Sequence, residues 1–170
     1  MSISLNAIEV FEIAERIERN SVNFYRKAAE ASSDENMSQI LLSLSDFEKE
    51  HLRCYANMRK QISDKELDII TFDPENGMSL YLQKIADSQV FKPEKDPAEL
   101  LNDKGTVRDI LEYAVEAEKD TIIFYLGLKN YLAAIAVKNK VDEIISEEMN
   151  HITELNLRLS ALKYIENISI

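Results

Sequence analysis

Cysteine, glycine, proline and tryptophan are scarce in this chain of 170 residues, which contains one, three, three and none of them. The lone Cys54 cannot form an internal disulfide, and it excludes any four-cysteine site for zinc, iron or an iron–sulfur cluster. A metal held here must therefore be held by oxygen and nitrogen. With so few residues that break a regular backbone, long helices are favoured. Positive charge is also short: 20 basic against 31 acidic residues give a net charge of −11, which repels phosphate backbones and anionic lipid alike. Neither nucleic acid nor a membrane is expected as a partner. No run of residues approaches the roughly 18 apolar positions of a membrane span, and Met1 to Val10 has neither the basic start nor the apolar stretch of a secretion signal. A cytoplasmic location is the expectation.

What the chain does have is helical periodicity. From about Asn6 to Ala31, Val10, Ile13, Ala14, Ile17, Phe24, Tyr25 and Ala28 recur three or four apart, as on one face of an amphipathic helix. Ser32, Ser33 and Asp34 read as a stop followed by a new N-cap. A second helix to about Ile62 aligns Leu41, Leu44, Tyr55, Met58 and Ile62. A third from about Thr106 aligns Ile110, Leu111, Ala114, Ile122, Tyr125, Leu128 and Leu132. A fourth from about Lys140 aligns Ile144, Leu155, Leu159 and Leu162, with the turn before it expected between Ala133 and Asn139. One domain of two antiparallel hairpins, 6–62 and 106–165, is thus predicted. The crossover at 63–105 contains three prolines and a helical pattern over Ser79 to Phe91 (Leu80, Leu82, Ile85, Ala86, Val90). The expected class is all-α, a four-helix bundle with one long crossover holding a short helix.

Each apolar stripe is interrupted by an acid or a histidine, and the interruptions repeat at an offset of 100 residues. Glu12 pairs with Glu112, Ala14 with Ala114, Glu18 with Glu118, Phe24-Tyr25 with Phe124-Tyr125, Glu48 with Glu148 and His51 with His151, without a gap. The two histidines are the only ones in the chain, and both obey the repeat. Within a hairpin, Glu18 and Glu48 are equidistant from Ser33 in the turn, so they lie at one height. Residues three apart on a helix point the same way, so each Glu-x-x-His presents an oxygen and a nitrogen inward. Four buried carboxylates cannot all remain ionised and unpaired, and no Lys or Arg is expected beside them. Two divalent cations balance four carboxylates and leave the histidines neutral. Mixed carboxylate and imidazole ligands suit two iron ions, with manganese as second choice.

One Glu from each of two helices and Glu-x-x-His from each of the others is the ligand set of di-iron carboxylate bundles. Glu18 with Ser21-Val22-Asn23-Phe24-Tyr25, Glu48-Lys49-Glu50-His51, Glu118 through Tyr125, and Glu148-Met149-Asn150-His151 together resemble the rubrerythrin branch of the ferritin-like superfamily over nearly the whole chain. The resemblance implies that Glu48 and Glu148 bridge two irons, that Glu18 and Glu118 are terminal ligands, and that Tyr25 and Tyr125 hydrogen-bond ligand carboxylates. It also implies a small oligomer, a homodimer, and an oxidoreductase that reduces dioxygen or hydrogen peroxide. Two departures qualify it. These residues lack the cysteines to build the rubredoxin domain of rubrerythrins, so electrons are expected from a separate donor protein. Thr121 stands where rubrerythrins carry a further Glu, the residue tied to their redox-linked iron movement. The alternatives are a ferroxidase, an iron-storage or iron-handling protein, or a metal-binding module without turnover. Cys54, Tyr55 and Tyr113 read as packing residues. Glu12, Glu15, Glu50, Glu112, Glu116 and Glu147 read as solvated faces, of which Glu15 and Glu147 lie nearest the ligand positions.

Overall fold

The computed structural model describes residues 7–61, 77, 80–82, 84, 106–132 and 135–168. Its four long helices are α1 (Ala7–Ala31), α2 (Glu35–Gln61), α3 (Val107–Tyr131) and α4 (Ile135–Ile168), and there is no strand among the described residues. None of the helices is long and apolar enough to cross a membrane.

Side-chain caps set the starts of α2 and α3. The Asp34 carboxylate caps α2 by accepting from the backbone N–H groups of Asn36, at 2.9 Å, and Met37, at 3.1 Å. At the start of α3 the Asp109 carboxylate reaches back to the Thr106 backbone N–H, at 2.6 Å, and to its hydroxyl, at 2.8 Å. The fourth helix differs from expectation. It begins at Ile135 rather than near Lys140, so Ile135 to Asn139, expected in the turn, are helical. No Gly or Pro lies between Ile135 and Lys140, and extending a helix through such residues gains a hydrogen bond for each residue fixed.

The helix α1 lies along α2 and α3 along α4, while the two hairpins meet through α1 with α3 and α2 with α4. Ring contacts set the directions. Phe11 meets Tyr55 at 6.1 Å and Tyr55 meets Tyr125 at 5.1 Å, whereas Phe24 meets Tyr113 at 5.0 Å. Residues early in α1 thus sit beside residues late in α2 and α3, so α1 runs antiparallel to both. This is the arrangement a two-fold axis across the bundle produces. Ser45 and Ser38 on α2 stitch the first hairpin by donating to the carbonyls of Val22, at 3.2 Å, and Ala29, at 3.0 Å.

The core fills both ends of the bundle with Val10, Phe11, Leu41, Leu44, Ile110, Leu111, Phe124 and Ile144, leaving a polar layer between them. Most of the expected crossover lies outside the described residues. Within it Gly77, Leu80, Tyr81, Leu82 and Lys84 are helical, and Leu82 is fully buried. This segment presses on α3 at Gly127, where an added Cβ would stand 2.9 Å from Tyr81 Cε1 and 3.0 Å from Leu82 Cδ2. A side chain there would overlap the crossover.

Candidate metal centre

Glu18, Glu48, His51, Glu118, Glu148 and His151 are all buried in the middle of the bundle. They form two groups, Glu18, Glu48, His51 and Glu148 in one and Glu48, Glu118, Glu148 and His151 in the other, each with ligand atoms within 4.8 Å of one another. The glutamates of the two Glu-x-x-His pairs belong to both groups. Nδ1 of His51 lies 3.0 Å from Glu148 Oε1 and 3.3 Å from Glu48 Oε2. Nδ1 of His151 lies 2.9 Å from Glu148 Oε2 and 3.2 Å from Glu48 Oε1. The imidazole rings stack at 5.7 Å.

The hydrogen bonds do not satisfy this cluster. Glu18 Oε2, Glu48 Oε1, Glu118 Oε2 and Glu148 Oε1 are buried without a hydrogen-bond partner. His51 Nδ1 lies near Glu148 Oε1 and His151 Nδ1 near Glu48 Oε1, in each case without the geometry of a hydrogen bond. Leaving a buried acceptor unmade costs about 1–3 kcal/mol, more when it is charged. Four such oxygens converging on two small volumes are what cations would satisfy, so the donor set fits a pair of metal ions.

Without a metal, protons must play that part. Burial, then the Glu48 and Glu148 carboxylates, raise Glu18 well above the usual carboxylate range, and burial with Glu148 and Glu48 does the same to Glu118. Burial also pushes Glu48 up, but the neighbouring His151 and His51 imidazoles outweigh it and hold that carboxyl below its ordinary value. Burial disfavours both imidazolium ions, yet the Glu148 and Glu48 carboxylates outweigh it, raising His51 strongly and His151 to about 9. The metal-free centre therefore stores protons on Glu18, Glu118, His51 and His151.

Around this layer lie the supports. Tyr25 donates to Glu118, and Tyr125 donates to Glu18, across the α1–α3 contact. This reciprocal pair ties each tyrosine to a carboxylate of the other hairpin. Burial first, and the nearby carboxylates next, raise both phenols well above their usual range, so they stay protonated as donors. Thr121 is buried, but its hydroxyl is spent on the Ala117 carbonyl at 3.0 Å, and its repeat counterpart Ser21 is buried with its hydroxyl unpartnered.

One of the acids read as solvated is buried, and another reaches the centre from the surface. Glu15 is 6% exposed and is held by the Arg59 guanidinium, whose Nη2 donates to Oε2 at 3.1 Å. The two are not level in the hairpin. They meet because each side chain leans toward the N-terminus of its own helix, and the helices run oppositely. Glu147 is half exposed, yet its Oε2 lies 2.7 Å from His51 Nε2. The only sequence signal for it was position, four residues before His151 on the face next to the ligands. Glu12, Glu50, Glu112 and Glu116 are exposed, as expected. Tyr55 is buried against Phe11 and Tyr125, and Cys54 is a free thiol at the edge of the core.

No protein-family model matches the chain, and no curated protein matches it in sequence. Among solved structures, it is similar to a Thermotoga maritima protein described as a ferritin-like diiron-carboxylate protein, with 25% identity and a TM-score of 0.70 over 92% of this chain and 96% of that one. That likeness supports the ferritin-like superfamily and does not single out its rubrerythrin branch. The architecture is a ferritin-like helical bundle with a buried carboxylate–histidine layer able to hold metal.

Proposed function

We propose that the protein is a di-iron carboxylate oxidoreductase, taking electrons from a separate donor and passing them to dioxygen or hydrogen peroxide. The observation that carries this reading is the pair of overlapping groups, in which Glu48 and Glu148 are common to both and one oxygen of each carboxylate is left without a hydrogen bond. Glu18 with His51 and Glu118 with His151 would complete the two positions, and manganese is the second choice of metal. An iron pair bound there would supply the ability to exchange electrons with an oxidant. The chain's own residues bind and orient it. Glu48 and Glu148 would hold both metals at a fixed separation, and the Tyr25 and Tyr125 hydroxyls would fix the Glu118 and Glu18 carboxylates. Apolar layers on either side would exclude water. The similar structure's description as a diiron-carboxylate protein agrees with the choice of iron.

Thr121 and Ser21 cannot take the part of a carboxylate, so the two oxidants are best tested apart. The metal-free protein, loaded with ferrous iron under argon, is expected to take up two irons per chain. Dioxygen and hydrogen peroxide are then added to separate samples while ferric absorbance is timed, with repeated turnover when a reductant is supplied. Ferric iron that accumulates beyond two per chain would favour iron storage instead. Bound iron inert to both oxidants would leave a metal-binding module without turnover.

A further inference from the structure

The histidines occupy matching places in the 100-residue repeat, and both turn Nδ1 toward the shared carboxylates. Their outer nitrogens meet different chemistry. His51 Nε2 lies 2.7 Å from Glu147 Oε2 on α4. The repeat counterpart of Glu147 is Phe47 on α2, and its ring lies 5.4 Å from the His151 ring, tilted by 46°. Among the described residues, the carboxylates near His151 approach its Nδ1 and none approaches its Nε2. One position of the bundle thus offers a carboxylate to the first histidine and a hydrocarbon face to the second.

The consequence follows from imidazole chemistry. A carboxylate accepting from Nε2–H fixes the tautomer that leaves the Nδ1 lone pair free to bind metal, and makes that nitrogen a stronger donor. His51 is held this way and His151 is not. A second difference falls on the same side. Tyr125, which donates to Glu18, is backed by Tyr55 with ring centroids 5.1 Å apart, and Leu155 stands where the repeat would put another tyrosine.

We propose that Glu147 is a positioning residue that makes the two metal positions unequal, so that the one served by His51 and Glu18 fills first and binds more tightly than the one served by His151 and Glu118. This rests on the reading that the centre takes two metals, and it needs no assumption about oxidant or turnover.

The test is calorimetric titration of the metal-free full chain with cobalt(II), together with anomalous scattering from crystals grown at one equivalent. Two separable steps are expected, with the first cobalt between Glu18 and His51. Glu147→Leu should weaken the first step about 10- to 100-fold and merge the two, a typical loss for an outer partner of a histidine ligand. Glu147→Gln, which keeps an acceptor but loses the charge, should weaken it less. Phe47→Glu supplies the missing carboxylate and should tighten the second step. Glu147 and Phe47 are 51% and 48% exposed, and thermal melting of the metal-free variants checks that the fold survives. Two equal steps in the unaltered protein, or a Glu147→Leu variant that keeps the full separation, would overturn the inference. Uptake of fewer than two cobalt ions per chain would defeat the two-metal reading along with it.

Discussion

Hairpin α1–α2 and hairpin α3–α4 bury the same positions: 11–26 match 111–126 and 41–55 match 141–155 at every residue. The side chains of the two hairpins do not all match. Glu15, buried with Arg59, stands opposite Val115, whose hairpin has Leu159 in place of the arginine. Phe47 stands opposite Glu147, Tyr55 opposite Leu155, and Lys27 opposite Gly127. A common backbone dictates which positions are buried, and several chemistries can satisfy a buried position. The glutamates and histidines of the centre, with the tyrosines that donate to two of them, are all the same in both halves; beside them only Glu12, Ala14 and Phe24 find an identical counterpart within α1 and α2. Metal binding leaves no such freedom, because each ligand must supply a particular atom at a particular place.

The largest effect should come from breaking what the halves share. Glu48→Ala or Glu148→Ala is expected to lower the metal count from two to none, since each glutamate belongs to both groups, whereas Glu18→Ala should spare the position of His151. Metal analysis after dialysis checks this. A full single metal retained by Glu48→Ala would mean that the carboxylate serves only one position.

The next effect concerns the charge of the metal-free centre. His151 is raised from 6.5 to about 9 in the folded protein, so the stability it contributes is complete below pH 6.5 and disappears as pH rises through 9. Roughly 3 kcal/mol is involved, at about 1.4 kcal/mol for each pH unit of difference. Glu18, Glu118 and His51 are also raised and act with the same sign, while the depressed Glu48 acts in acid, below its ordinary 4.5. Urea unfolding in the presence of a chelator should therefore show stability falling between pH 6.5 and 9.5. Protein loaded with metal should not lose it over that range. A metal-free protein that becomes more stable with rising pH would contradict the proton arrangement described for the centre.

The smallest expected effect separates the hairpins by their contact with the crossover. Gly127→Val should cost about 1–3 kcal/mol through overlap with Leu82 and Tyr81. Lys27→Val, at the matching exposed place on α1, should stay within about 0.5 kcal/mol. Chemical denaturation of the two variants side by side measures the difference, and equal losses would show that the crossover does not bear on α3.

The helical stripes and their acidic interruptions were legible in the sequence, because a glutamate or histidine where a leucine belongs is conspicuous in a regular period. The turn between α3 and α4 was not, since nothing from Ile135 to Lys140 stops a helix and only packing decides where it starts. Glu15 was misread as solvated for a related reason, and the contact of the exposed Glu147 with His51 was not foreseen. Each lies beside the apolar stripe of its own helix, and its environment is set by a residue of another helix, Arg59 in one case and His51 in the other.

By itself the sequence determined four amphipathic helices, the two-fold repeat and the six side chains that interrupt it, all properties of spacing along one chain. Which Tyr reaches which Glu, which histidine gains an anionic partner and which acid is buried with an arginine were decided only by the tertiary structure. Those contacts join residues 44 to 107 positions apart, and their distances depend on how the helices lean and face one another, which no local pattern encodes.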